Sequence, residues 1–525
     1  MITQDDIIYF IMTDRFFDGD PNNNLNIDKT NPQLRHGGDL KGIQTKFAYL
    51  QNLGITTIWI TPVYLNISGI AGSQPYHGYW PKDFTVIDDH LYSESVAHPA
   101  GDKKYLNDFV DACHAAKFKV VLDVVVNHTG YDNGQPIFPL DWYRNIPADS
   151  DFSGLPKLDL ANSTVVDYFI NNLMDWIETS GIDGLRMDMA RNIGGYTNHP
   201  DQKIQDPDFN KFWYYYKSIV KGKFPQIFIV GEVFDSEFTD IDENATFQNQ
   251  SDLNSIFDFP LRERIKNVII YDRPFTDIAR PRLTDNEPSG VLDLDDPSGG
   301  GYYTNANRLV TLLDNHDLDR RIMSEIRTRF TGDQNKTLSF QIAAMMYAFL
   351  FTVRGIPQIY YGSETGLEGY KNIGGTNNDY DLRRDFPWQL IAANSEPFPN
   401  FADESSLYQT IKKLIAFRKN SDALKYGVVI TLWVDNFVYA FLRYFRDEVV
   451  IVVFNNGYLP MQFPLEIPIG PSSAKDIQPL PDRIIILLSN TPLVNIFNLA
   501  ESVQLQNGLF PVSVSGKSFK IFSSK

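Results

Sequence analysis

Eight short runs of apolar and β-branched residues, each followed by turn residues and then an amphipathic stretch, set the architecture of this chain. They are Ile7–Met12, Thr56–Thr61, Val120–Val126, Gly184–Met189, Ile227–Val233, Ser255–Phe259, Leu309–Leu313 and Pro357–Tyr361. Strand-like and helix-like periods in alternation mark parallel strands with covering helices. The run Val120-Val121-Leu122-Asp123-Val124-Val125-Val126 is apolar at every position but one, as a strand buried on both faces requires. Eight repeats of this unit predict an α/β fold, a (β/α)₈ TIM barrel. Residues 129–162, rich in Gly, Pro, Asn and Asp and without clear period, read as a small inserted domain after strand three. The amphipathic run Leu407–Leu424 closes the barrel, and beyond Gly427 strands such as Phe437–Tyr444 and Val449–Phe454 with short turns predict a C-terminal antiparallel β-sandwich. The expected division is 1–128 plus 163–426 for the barrel, 129–162 for the insert and 427–525 for the all-β domain.

The chain has 525 residues, 43% of them hydrophobic, and a formal net charge of −18. That charge repels phosphate backbones, anionic lipid and acidic polysaccharide, so nucleic acid and membrane are excluded as partners and a neutral ligand is favoured. No apolar run approaches the roughly 20 residues that span a bilayer. The start, Met1-Ile2-Thr3-Gln4-Asp5-Asp6, lacks a basic region followed by an apolar run. As written the chain is expected in the cytoplasm, and secretion would require a signal removed beforehand. Its one cysteine, Cys113, can form no intrachain disulfide and is expected to be packed and inert. The expected assembly is a monomer or weak homo-oligomer.

In a parallel barrel, catalytic groups lie at the C-terminal strand ends. Four ends carry polar clusters: Asp123-Val124-Val125-Val126-Asn127-His128, Gly184-Leu185-Arg186-Met187-Asp188, Gly231-Glu232-Val233-Phe234 and Leu313-Asp314-Asn315-His316-Asp317. One such acid alone reads best as a helix cap. Four together, in this order, resemble the signature regions of the α-amylase family of glycoside hydrolases and transglycosidases. The resemblance extends to Gly54–Pro62, Tyr76-His77-Gly78-Tyr79-Trp80 and Gly355–Gly362, nearly the whole barrel. Leu155-Pro156-Lys157-Leu158 resembles the neopullulanase and cyclomaltodextrinase variant, and Asp379–Pro387 resembles neopullulanase-like members.

Retaining glycoside cleavage needs a carboxylate nucleophile and a protonated carboxylic acid about 5 Å apart. Asp188 and Glu232 are the candidates. Arg186, two positions before Asp188 on a strand and hence on the same face, should keep that aspartate ionised. Glu232, among other carboxylates and partly buried, should hold its proton. The resemblance implies that Asp317 binds hydroxyls of the sugar being cleaved. It implies the same for His128 and His316, with Tyr79 stacked beneath that sugar and Asp379 and Arg383 gripping the next one. The implied activity is a retaining, endo-acting hydrolase of α-1,4-glucosidic bonds in starch-like glucans and maltodextrins, with an α-glucan or maltooligosaccharide as substrate. The alternatives are a transglycosidase of the same family, such as a glucanotransferase, and a sucrose- or trehalose-acting relative.

Asp14–Asn24 with Gly37-Gly38-Asp39 resembles the calcium loop of cyclodextrin glycosyltransferases and neopullulanases, and clustered oxygen side chains suit this hard cation. The expected ligands of one structural Ca²⁺ are Asp18, Asp20, Asn23, Asn24, Asp39 and the Gly37 carbonyl. No organic cofactor is expected. The family's second site, between barrel and insert, should be absent: Lys157 stands in place of an aspartate and Asn192 in place of a histidine, leaving Asn127 with an ammonium for a neighbour.

Overall fold

The computed structural model describes the chain apart from residues 96, 133, 145–154, 194–206, 235–252, 280–291, 293–302, 304, 372–378, 392–401 and 467–479. Eight parallel strands form the central sheet: β1 (Ile8–Ile11), β2 (Thr57–Ile60), β3 (Lys119–Val124), β4 (Gly184–Met187), β5 (Phe228–Gly231), β6 (Ser255–Ile256), β7 (Val310–Thr311) and β8 (Ile356–Tyr360). They pair in sequence order from β1 to β6, β8 pairs with both β1 and β7, and a parallel bridge between Phe257 and Val310 joins the two remaining edges. The sheet is therefore a closed barrel, as the eight-run pattern predicts.

Each strand stops short of the C-terminal end of its apolar run. Asp188 lies one residue past β4 and Glu232 one residue past β5. Polar groups must leave the ladder to face the barrel mouth, and this trims each predicted strand at its C-terminal end. Inside, Phe10 of β1 stacks on Trp59 of β2 with centroids 3.7 Å apart, and Trp59 stacks on Phe257 at 5.3 Å. These rings fill the barrel beneath its mouth.

Covering helices bury one stripe each. In Lys104–Ala115 the buried residues include Tyr105, Leu106, Phe109, Val110 and Cys113, a helical repeat that seats the lone cysteine against the sheet. Burial pushes its thiol well above the ordinary range, which suits the inert role expected. Helix Ser163–Ser180 starts where the Asn162 side chain accepts the Thr164 N–H and stops at Gly181, which adopts φ 68°. Helix Lys336–Thr352 departs from the pattern, being apolar around most of its circumference. It is covered on its outer side by C-terminal strands: Phe349 meets Tyr439, Phe441 and Phe454.

Beyond the barrel, six antiparallel strands lie in the order Val428–Val434, Val438–Phe445, Glu448–Asn455, Ser518–Ser523, Leu493–Asn495, Asn498–Val503. Their alternation divides the side chains. Tyr439 and Phe441 join the barrel core, whereas Val438, Ala440 and Leu442 join a second core with the strand pair Met461–Glu466 and Leu509–Val514 and the helix Asp482–Asn490. This is the expected C-terminal antiparallel sandwich, with a helix added. No helix among the described residues is long and apolar enough to cross a membrane.

A buried arginine ties the two layers together. Arg443 donates from Nη1 to the Thr352 carbonyl (2.9 Å) and from Nη2 to the carbonyls of Leu424 (3.0 Å) and Gly427 (2.7 Å), all at helix ends. Replacing it by leucine would leave three carbonyls without that donor. Arg443→Leu is expected to lower unfolding free energy by about 3 kcal/mol. Urea denaturation measures this, and a loss under about 1 kcal/mol would show that water replaces the guanidinium there.

Candidate active site

At the barrel mouth, three of the four polar strand ends converge on one guanidinium. Arg186 of β4 is 1% exposed, and burying a charge so completely demands compensation from every side. Its Nη1 donates to Asp123 Oδ1 (2.9 Å) and Asp188 Oδ1 (2.7 Å), and its Nη2 lies 2.5 Å from Glu232 Oε1. Neighbouring strands β3, β4 and β5 each supply one acid, and their parallel register, with Asp123 opposite Arg186 and Met187 opposite Gly231, brings all three to the same level. The same-face argument for Arg186 and Asp188 therefore holds.

The two candidate acids differ in what remains of each carboxyl. Asp188 Oδ2 is buried and has no hydrogen-bond partner among the described residues. Glu232 Oε2 accepts the Met189 backbone N–H at 3.0 Å. Burial pushes the Glu232 carboxyl up to about 8 from an ordinary 4.5; the Arg186 charge opposes this, and the carboxylates of Asp188 and Asp317 add to it. A carboxylate with one bare oxygen beside a carboxyl that keeps its proton can together perform nucleophilic attack and proton transfer.

Asp317 faces this pair from the loop after β7. Burial raises its carboxyl, but His316 and Arg383 outweigh that and hold it well below the usual range. His316 Nε2 is 3.0 Å from its Oδ2 and Arg383 Nη2 is 2.8 Å from its Oδ1. The same Nη2 contacts Asp379 at 2.6 Å, so the predicted Asp379–Arg383 pair exists and is joined to Asp317. The Tyr79 ring stacks against His316 with centroids 5.2 Å apart, and its hydroxyl donates to Asp123 Oδ2 at 2.7 Å. His128 Nε2 lies 3.0 Å from the Tyr79 carbonyl. Burial pushes His128 and His316 down, the latter to about 3, so both are neutral hydrogen-bonding groups.

All nine predicted catalytic and substrate-binding residues thus gather at one mouth. Asp123 has no predicted role, yet it links Arg186, the Tyr79 hydroxyl and the Trp59 indole N–H, which donates to it at 3.2 Å. Its signal was a charge inside an apolar strand.

The N-terminal loop lies apart from these groups in the sequence, and its oxygens bear on the expected cation site. Asp18 Oδ1, Asn23 Oδ1 and Asn24 Oδ1 are buried without partners among the described residues, and a Cβ on Gly37, whose φ is 86°, would fall 2.2 Å from Asn24 Oδ1. Three orphaned oxygens in one loop, one of them against a glycine, fit a hard cation. Asp39 is occupied otherwise: it accepts the N–H groups of Gly19, Asp20 and Gly42 and the Asn23 amide. Asp20 Oδ1 accepts from Asn22, and the Lys29 ammonium sits 2.9 Å from Asp18 Oδ2. At the other predicted position, Lys157 is buried and its main chain bridges to His128, with the Leu158 N–H donating to the Asn127 carbonyl.

Comparison with known proteins agrees with this geometry. Residues 10–137 and 148–427 match the family description "Alpha amylase, catalytic domain". The chain belongs to the α-amylase family. It is 29% identical to the beta/alpha-amylase of Paenibacillus polymyxa over 98% of its own length, although it spans only 37% of that protein. It is 28% identical to a cyclomaltodextrin glucanotransferase of Klebsiella oxytoca, covering 86% of this chain and 70% of the other. Among solved structures, an Anoxybacillus α-amylase superposes with a TM-score of 0.73 at 25% identity, covering 99% of this chain and 98% of that one. The chain is an enzyme of this glycosidase and transglycosylase family.

The Glu232 shift has a consequence for stability. Between about 4.5 and 8 the folded state holds a proton that the unfolded chain releases, so this group's stabilising contribution is complete below 4.5 and is lost as pH rises toward 8. Glu232→Gln does not titrate. The melting temperature of that variant relative to the parent is expected to climb as pH rises from 5 to 8; a difference that stays flat across this window would refute the raised proton affinity.

Proposed function

We propose that this chain is a retaining, endo-acting hydrolase of α-1,4-glucosidic bonds in starch-like glucans and maltodextrins. The observation that carries the reading is one guanidinium, Arg186, in contact with both Asp188 and Glu232. That contact is compatible with the separation of about 5 Å that retention needs. Asp188 Oδ2, the unpartnered oxygen, is the nucleophile that attacks the anomeric carbon. Glu232 gives its proton to the departing glycosidic oxygen, then takes one from water as the glycosyl-Asp188 ester is hydrolysed. Asp317 accepts from hydroxyls of the sugar being cleaved, with neutral His128 and His316 beside it. Tyr79 is the stacking platform, and Asp379 and Arg383 hold the next sugar.

A second reading, transglycosylation, is favoured by the cyclomaltodextrin glucanotransferase relative. In it a sugar hydroxyl replaces water in the second step. Products of maltoheptaose and of cyclodextrin, followed by chromatography, separate the two: linear oligosaccharides no longer than the substrate indicate hydrolysis, and longer or cyclic ones indicate transfer.

Asp188→Asn and Glu232→Gln are each expected to lower turnover on maltoheptaose on the order of 10³-fold or more while circular dichroism stays native. The first product in the NMR spectrum should be the α-anomer. A β-anomer would rule out double displacement.

For the metal, we assign one structural Ca²⁺ to the loop with Asp18, Asn23, Asn24 and the Gly37 carbonyl as its core ligands and Asp20 and Asp39 beside them. Calcium there would hold the loop's orphaned oxygens and stabilise the native state, by about 2.7 kcal/mol at a hundredfold excess over Kd. Metal analysis should find one calcium per chain, and chelation should lower the melting temperature. A calcium lost on Asn127→Ala would contradict the reading of Lys157 as the replacement for a second ion.

A further inference from the structure

Glu232 is wrapped by the chain that follows β4. Its own N–H donates to the Met187 carbonyl (3.1 Å), the Arg191 N–H donates to its carbonyl (3.1 Å), and the Met189 N–H donates to its side-chain Oε2 (3.0 Å). The first of these continues the β4–β5 ladder. The last does not, because an extended strand would send the Met189 N–H elsewhere. It reaches Oε2 through an abrupt turn: Met189 adopts φ 49° and ψ 37°, the left-handed region that a side chain with a Cβ rarely occupies. Among the described residues seven other non-glycine residues have positive φ, yet Met189 alone lies within two residues of the C-terminal end of a barrel strand. Unusual backbone of this kind persists only where its surroundings hold it, and it gathers at functional sites. Here the Asn127 amide, 3.8 Å from the Met189 sulfur, is one such hold.

We propose that Met189 is a positioning residue for the acid step, its left-handed main chain aiming an N–H at Glu232 Oε2 while Arg186 fixes Oε1. The inference rests on the reading of Glu232 as acid/base. With both oxygens held, the carboxyl plane cannot swing, and its orientation toward the glycosidic oxygen is set before substrate arrives. The bond also strengthens at the right moment. As the anomeric carbon bonds to Asp188 Oδ2 and its bond to the glycosidic oxygen breaks, the Glu232 proton passes to that oxygen, and the carboxylate left behind is a better acceptor for the Met189 N–H. The charges facing Glu232 are Arg186 and Asp188 from β4 and Asp317 from the loop after β7. The N–H adds to the arginine in favouring the ionised form.

Two substitutions separate this role from packing. Met189→Gly keeps the left-handed turn without strain, whereas Met189→Ile places a β-branched residue where one is most disfavoured. Rates are read on maltoheptaose, whose leaving group needs a proton, and on maltosyl fluoride, whose leaving group needs little help. Met189→Ile should lose on the order of 10²-fold in kcat/KM on maltoheptaose, only a few-fold on the fluoride, and should move the alkaline limb of the pH–rate profile, where Glu232 gives up its proton, upward. Met189→Gly should keep the parent limb. Glu232→Gln is measured alongside: full activity on maltoheptaose in that variant would overturn the acid/base reading itself. With Glu232→Gln inactive, an Ile variant with parental rates and limb overturns the Met189 proposal. So does an Ile variant equally impaired on both substrates with an unmoved limb, which is the signature of general damage. If Met189→Ile does not fold, Met189→Ala carries the test with a smaller shift in the same direction, and an unmoved limb there is equally decisive.

Discussion

The Arg186 guanidinium is the charge around which the mouth of this barrel is organised. A cation 1% exposed is untenable without counter-charge, and three acids from three adjacent strands surround it. The arrangement gives each acid a different state. Asp123 is entirely buried, and burial with the Asp188 charge pushes it up against the pull of Arg186, to about 7. Glu232 is pushed up further, while Asp188 keeps one oxygen bare. One arginine thereby contacts both the proposed proton donor and the proposed nucleophile.

The aromatic layer beneath makes this charge cluster rigid. Trp59, stacked on Phe10 and Phe257, donates its indole N–H to Asp123, and Asp123 in turn receives the Tyr79 hydroxyl. The packed interior of the barrel is thus connected through a single carboxylate to the Tyr79 ring above, which in turn stacks on His316. A rotation of Tyr79 would cost Asp123 a hydrogen bond and disturb Arg186. Core packing and substrate platform are one mechanical unit here.

The fold was legible because its strands are buried on both faces, so Val120–Val126 and its seven counterparts read as continuous apolar runs. The candidate acids were legible because four polar strand ends together, each closing such a run, have few structural reasons to be there. Other features depend on groups distant in sequence. Asp123 takes part through Tyr79, 44 residues earlier, and nothing local announces that hydroxyl. Helix Lys336–Thr352 is apolar nearly all round because a sheet more than eighty residues later covers it. The N-terminal loop was read as a cation site from a resemblance and from its clustered oxygens, neither of which can distinguish an oxygen left bare, as in Asn24, from one saturated by N–H groups, as in Asp39.

The turn after β4 shows why main-chain conformation escapes sequence reading altogether. Met is a good helix former and an ordinary core residue, and neither property suggests φ near +50°. The conformation is imposed from outside, by the ladder that fixes Met187 to Glu232 on one side and the Arg191 N–H bonded to the Glu232 carbonyl on the other. Between these two anchors the chain has only Asp188, Met189 and Ala190 in which to reverse. Asp188 must present a carboxylate to Arg186, so the turn falls on the residue after it. The position that must carry the strain is thus set by where Asp188 presents its carboxyl.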